Sequence, residues 1–136
     1  MPKIRHLAIK TKHPAKLAEF YTQVFDMKII HSEKSGSVFL SDGYLTLAIL
    51  RNRGEAAPSG FNHFGFQVED LEEIEKRLEK FGEPMEARPA TRPYAEYRGC
   101  DIEGNWFDLS QHGFEEVETG FDRAEKAARE KAKVTA

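Results

Sequence analysis

The sequence predicts an α+β domain made of two βαβββ units, whose strands form a cupped mixed sheet with the helices on its outer face. Three observations predict it. A chain of 136 residues holds one core of useful size and not two. The order strand, helix, three strands occurs twice, over residues 3–50 and 61–112. A histidine stands early in the first strand of each copy, as His6-Leu7-Ala8-Ile9 and His63-Phe64-Gly65-Phe66.

Residues Lys3 to Thr11 alternate around Leu7 and Ile9 as a strand does. A helix follows from Pro14, a residue suited to a first helical turn; Leu17, Phe20, Tyr21 and Val24 recur at helical spacing as its predicted buried face. Strand-like runs come next at Lys28 to Glu33, Ser37 to Ser41 and Tyr44 to Leu50, divided by Gly36 and by Asp42-Gly43. Residues 51–60 carry Gly, Pro and Ser without periodicity and read as a linker. The second unit opens with Phe61 to Glu69. Its helix is expected over Asp70 to Phe81, with Leu71, Ile74, Leu78 and Phe81 apolar, and Asp70 with Glu73 has the form of a capping box. Further strands are expected at Met85 to Ala87, Tyr94 to Ile102 and Trp106 to His112, the last two joined by Glu103-Gly104-Asn105. Residues 113–136 form a charged, alanine-rich tail with an expected solvated helix from Asp122 to Lys133.

Composition narrows the partner. With 20 Lys and Arg against 23 Asp and Glu the net charge is −3, so there is no basic field to hold a phosphate backbone, and nucleic acid is not expected. No apolar run reaches membrane-spanning or signal-peptide length, so neither a membrane partner nor export is expected. The single Cys100 makes no intrachain disulfide and no thiolate metal site, which suits a reducing cytoplasm. A small molecule is the expected partner.

Equivalent positions in a duplicated unit are brought together by an internal twofold, which pairs His6 with His63. Side chains alternate along a strand, so Leu7, Ile9, Phe64 and Phe66 pack under the helices while both histidines face the other way. On the last strand Trp106, Asp108 and Ser110 share one face. An ionised Asp108 among large apolar residues requires a metal ion or an arginine, and Arg98 across the last hairpin is the arginine candidate. Two imidazoles and a carboxylate from three strands make a facial triad that holds a divalent ion and leaves positions open for substrate.

The segments His6-Leu7-Ala8-Ile9, Glu19-Phe20-Tyr21, the His63 strand and Asp101-Ile102-Glu103-Gly104-Asn105-Trp106-Phe107-Asp108-Leu109 resemble the vicinal oxygen chelate superfamily. That group includes glyoxalase I, extradiol ring-cleaving dioxygenases, fosfomycin-modifying transferases and bleomycin-binding proteins. The resemblance implies metal ligands at His6, His63 and Asp108, a divalent ion such as Fe, Mn, Zn or Ni, and a homodimer. Two departures matter. The strand Tyr44 to Leu50 has no carboxylate to match the fourth ligand of glyoxalase I, and Asp108 replaces the usual glutamate. Ring-cleaving relatives often carry a tyrosine where this chain has Arg98.

Tyr94, Glu96, Arg98 and Cys100 alternate onto one strand face, the face of Asp108 if the hairpin is regular. Arg98 suits a substrate carboxylate, phosphate or enolate oxygen, because its planar fork makes paired charge-assisted bonds. Glu96 is a candidate general acid or base. Arg92, Tyr94 and Trp106 are candidate pocket residues, and His112 lies too far along its strand to share an ion with Asp108. The leading expectation is a metal-dependent lyase, isomerase, dioxygenase or transferase. The alternative is a metal-free small-molecule binder of the bleomycin-resistance type.

Overall fold

The computed structural model describes residues 1–54, 58–88, 95–111 and 127–133. In chain order the elements are β1 (Lys3–Thr11), α1 (Pro14–Phe25), β2 (Lys28–Ser32), β3 (Val38–Ser41), β4 (Thr46–Arg51), β5 (Gly60–Gln67), α2 (Leu71–Glu79), β6 (Glu86–Ala87), β7 (Tyr97–Cys100) and β8 (Trp106–Ser110). The βαβββ order appears twice, as the alternation and turn residues predict. All eight strands join one open mixed sheet in the order β2-β3-β4-β1-β5-β8-β7-β6. The two units meet at an antiparallel β1–β5 seam, and inside each unit the first and last strands run parallel.

Helices α1 and α2 lie on one face of the sheet. Under α1, Ala18, Leu40, Leu47 and Ile49 are buried with Leu7, Ile9, Leu17 and Tyr21 around them. Under α2, Val68, Phe107 and Leu109 are buried against Phe64, Phe66, Leu71, Ile74 and Leu78. A fully buried leucine or isoleucine of this kind contributes on the order of 2 kcal/mol. Asp70 caps α2 as its spacing predicts, accepting the Glu73 N–H at 3.2 Å.

The expected helix faces need two corrections. On α1, Phe20 and Val24 are exposed, because the sheet takes the narrower side carrying Pro14, Leu17, Ala18 and Tyr21. Phe81 lies beyond the end of α2 and is exposed. In the tail, residues 127–133 are helical and exposed, in agreement with the solvated helix expected there.

The inner face, turned away from the helices, carries two matching rows of cross-strand neighbours. One runs His31, Phe39, Ala48, Ala8 and ends on His63; the other runs Glu86, Arg98, Asp108, Gly65 and ends on His6. Each unit's row therefore finishes on the other unit's histidine.

Candidate metal centre

Local backbone irregularities aim the histidines. The β1–β5 register shifts between Ile4 and His6, leaving Arg5 as an extra residue on β1, and again at Ala8 and Ile9, leaving Asn62 as the extra residue on β5. Such bulges re-aim the neighbouring side chain. Each histidine thus directly follows a bulged residue. Asp108 owes its place to the β7–β8 hairpin, which pairs Arg98 with Asp108. In that turn the Asp101 carboxylate accepts the Asn105 side-chain amide at 2.9 Å and the backbone N–H groups of Glu103 and Asn105 at 2.9 and 3.0 Å. These bonds, that of the Asn105 side chain foremost, hold the Asp101 carboxyl below its ordinary pKa.

The three side chains converge. His6 Nε2 lies 3.3 Å from His63 Nε2, Asp108 Oδ2 lies 3.1 Å from His63 Nε2 and 3.9 Å from His6 Nε2, and all three residues are buried. Gly65 stands between His6 and Asp108 in the row and puts no side chain there. His63 Nδ1 makes a 2.7 Å bond to Asn62 Oδ1. An amide oxygen only accepts, so a ring proton sits on Nδ1 and Nε2 is the nitrogen turned to the cluster. Burial, with the neighbouring His63 and Arg88 adding to it and Asp108 opposing, pushes the His6 pKa down to about 4, so its imidazole is neutral at neutral pH. With neither Nε2 protonated, these electron pairs converge on one buried point, the arrangement a bound cation needs. The donor set fits a divalent ion: one ligand atom from each of His6, His63 and Asp108, all within 4.8 Å of one another.

A residue that the spacing of motifs did not reveal completes the site. Arg88 Nη1 donates to Asp108 Oδ1 at 2.9 Å, which leaves Oδ2 facing the histidines. The arginine on Asp108 is therefore Arg88 and not Arg98. Arg98 does share the face of Asp108, but its side chain runs outward to Glu86 (3.4 Å) and over the Trp106 ring (5.6 Å). Trp106 stacks on His63 with ring centroids 4.1 Å apart. A cavity of about 380 Å³ adjoins it, lined by Pro84, Glu86, Arg98, Cys100 and Trp106 among others. Glu96 precedes β7, half-buried, its carbonyl accepting the Arg88 N–H at 2.9 Å. Arg92, Tyr94 and His112 lie outside the described residues.

A protein-family model for the Glyoxalase/Bleomycin resistance protein/Dioxygenase superfamily matches residues 3–109. The chain belongs to that superfamily. A probable trivalent organoarsenical cleaving enzyme from Bacillus subtilis (strain 168) is 34% identical over 80 residues, which cover 57% of this chain and 55% of that one; the match thus spans about half of that relative's length. Similar solved structures from the superfamily fold show the same architecture at low identity. A hypothetical protein from Bacillus halodurans C-125 is 19% identical with a TM-score of 0.62, over 79% of this chain and 92% of that one. Methylmalonyl-CoA epimerase from Mycobacterium tuberculosis is 18% identical with a TM-score of 0.59, over 78% and 85%. The 2,3-dioxygenase LapB from Pseudomonas sp. KL28 is 19% identical with a TM-score of 0.61, over 79% of this chain and 40% of that one.

Proposed function

We propose that this superfamily member is a divalent-metal-dependent enzyme acting on a small substrate through two neighbouring oxygens, with His6, His63 and Asp108 as the ligands. The observation that carries the reading is the convergence of three buried donor atoms within 4.8 Å. A bound divalent ion supplies Lewis-acid polarisation of the substrate oxygens. The chain's own residues do the rest. Asn62 fixes the His63 tautomer, Arg88 holds Asp108, and Trp106 with the adjoining cavity receives the substrate body. Arg98 meets substrate charge, because its exposed contact to Glu86 is weak and readily exchanged for a substrate anion. Glu96 is the candidate proton carrier, and Arg92 and Tyr94 are further candidate substrate-binding residues. The same reading takes the chain as one domain with a tail at 113–136, working in the cytoplasm as a homodimer. Exposed Phe20, Val24 and Phe25 on α1 offer such a dimer apolar surface to bury, and among the described residues no helix is long and apolar enough to cross a membrane.

The arsenical relative makes carbon–arsenic cleavage one reaction to assay. Trivalent arsenic is thiophilic, and this chain has a single thiol, Cys100, so oxygen-chelating substrates stand first. One observation favours the metal-free alternative: the Arg88–Asp108 pair neutralises the carboxylate by itself. Elemental analysis of untagged protein beside Asp108→Ala decides between them. One ion per chain in the parent and none in the variant is the expected result. No ion in either, after incubation with iron, manganese, zinc and nickel salts, turns the site into a binding pocket of the bleomycin-resistance kind, whose ligand affinity a chelator leaves unchanged.

A further inference from the structure

We infer that Arg88 sets the charge of this centre and thereby selects a substrate that binds as a dianion. The inference rests on the metal reading above and adds the substrate's charge to it. Arg88 is fixed in place: its backbone N–H bonds the Glu96 carbonyl at 2.9 Å, and its guanidinium bonds Asp108 Oδ1 at 2.9 Å with only 15% of the side chain exposed. Asp108 is 2% exposed at its side chain, so the pair is shut away from water's screening. An arginine stays protonated in such a place, unlike a lysine.

The charge count then differs from that of a bare two-histidine, one-carboxylate set. Neutral imidazoles contribute nothing and the carboxylate contributes one negative charge. Without an arginine the protein would cancel half of a divalent ion's charge and a monoanionic ligand would cancel the rest. With Arg88 against Asp108, these four side chains (the two imidazoles, the carboxylate and the guanidinium) sum to zero, and within this set both positive charges of the ion are left for the ligand. Uncompensated charge in a buried cleft is costly, so the ligand that suits this centre brings two negative charges on a chelating pair of oxygens. Arg98 and Glu86, next along the same row, are 49% and 60% exposed, so water screens their charges and they add little to the buried sum. Arg88 acts here through Asp108 and is a positioning residue.

The test uses the full chain, stripped with chelator, reloaded with Co²⁺ and titrated with two small oxygen chelators, oxalate as the dianion and glycolate as the monoanion. Visible absorption of the bound Co²⁺ reads binding without turnover. The quantity of interest is the oxalate-to-glycolate affinity ratio, taken relative to the ratio shown by the free ion. Arg88→Met is expected to lower that ratio about tenfold or more, and Arg88→Lys to keep most of it, since the lost interaction is a charge at short range with little screening. An unchanged ratio in Arg88→Met overturns the inference while leaving the metal reading intact. Failure of the parent protein to take up Co²⁺ overturns both. If the methionine variant does not fold, Arg88→Gln carries the same test, because it keeps a donor for Oδ1 and removes only the charge.

Discussion

In the first unit the inner-face row from the sheet edge reads His31, Phe39, Ala48, Ala8; in the second the matching row reads Glu86, Arg98, Asp108, Gly65. The backbone registers correspond, so Ala48 occupies in one half the place that Asp108 occupies in the other. Around Ala48 the surroundings are apolar: Ala8, Phe39 and Ala95 bury with it, and Ala8 and Ala48 are fully inaccessible. Around Asp108 they are charged and hydrogen-bonded. One half of a duplicated fold has become a wall and the other has kept the polar groups, while each supplies one histidine. The absent carboxylate of the first unit is thus a packed methyl group, which is why three donor side chains and not four converge among the described residues.

The largest test of this contrast is to make the second half like the first. Asp108→Ala should abolish metal binding in elemental analysis and, by stranding Arg88 without its partner, lower stability by about 3 kcal/mol in urea unfolding of the metal-free protein. The reverse substitution, Ala48→Asp, places a carboxylate in the apolar row and should cost about 2–3 kcal/mol in the same measurement; unchanged stability would show that the row is not a packed wall. The two histidines also differ. His63 has Asn62 on its Nδ1, and Asn62→Ala should weaken metal affinity about 10- to 100-fold in chelator competition, with one ion per chain still bound at saturation. His6 supplies a test that pH alone performs. Its pKa in the folded chain is about 4 against the ordinary 6.5, so between those values the unfolded chain binds a proton that the folded chain refuses. Stability of the metal-free protein should fall as pH drops through that window, by at most about 1.4 kcal/mol per pH unit, and His6→Gln should remove that part of the slope in thermal melts.

Much of this was legible in the chain. Turn residues and alternation mark the repeated units, and the same alternation puts His6, His63 and Asp108 on one face. Arg88 was not legible, because it reaches Asp108 across twenty residues from outside the β7–β8 hairpin and belongs to no repeating pattern. Arg98 had the right register but the wrong contact, since register fixes the face of a side chain and not its reach. Asn62 was hidden for a different reason: a bulge is one extra residue against a partner strand, and a single strand's sequence does not display its partner. The buried face of α1 is not legible from spacing alone, because its apolar stripe is wider than the surface that the sheet offers.

The bulged Arg5 has a further effect. It is 2% exposed, donates from Nε to the Tyr44 carbonyl at 2.9 Å and from Nη1 to Gln67 Oε1 at 2.6 Å, and lies over the Tyr44 ring. Those bonds tie the start of β1 both to the loop before β4 and to the end of β5. A slip of β1 by one residue would turn His6 to the helix side and bring in an apolar neighbour, as any odd shift does in a pleated strand. Arg5 is then a register pin: this buried guanidinium keeps time between the two halves, and the cluster of His6, His63 and Asp108 exists only while they stay in step.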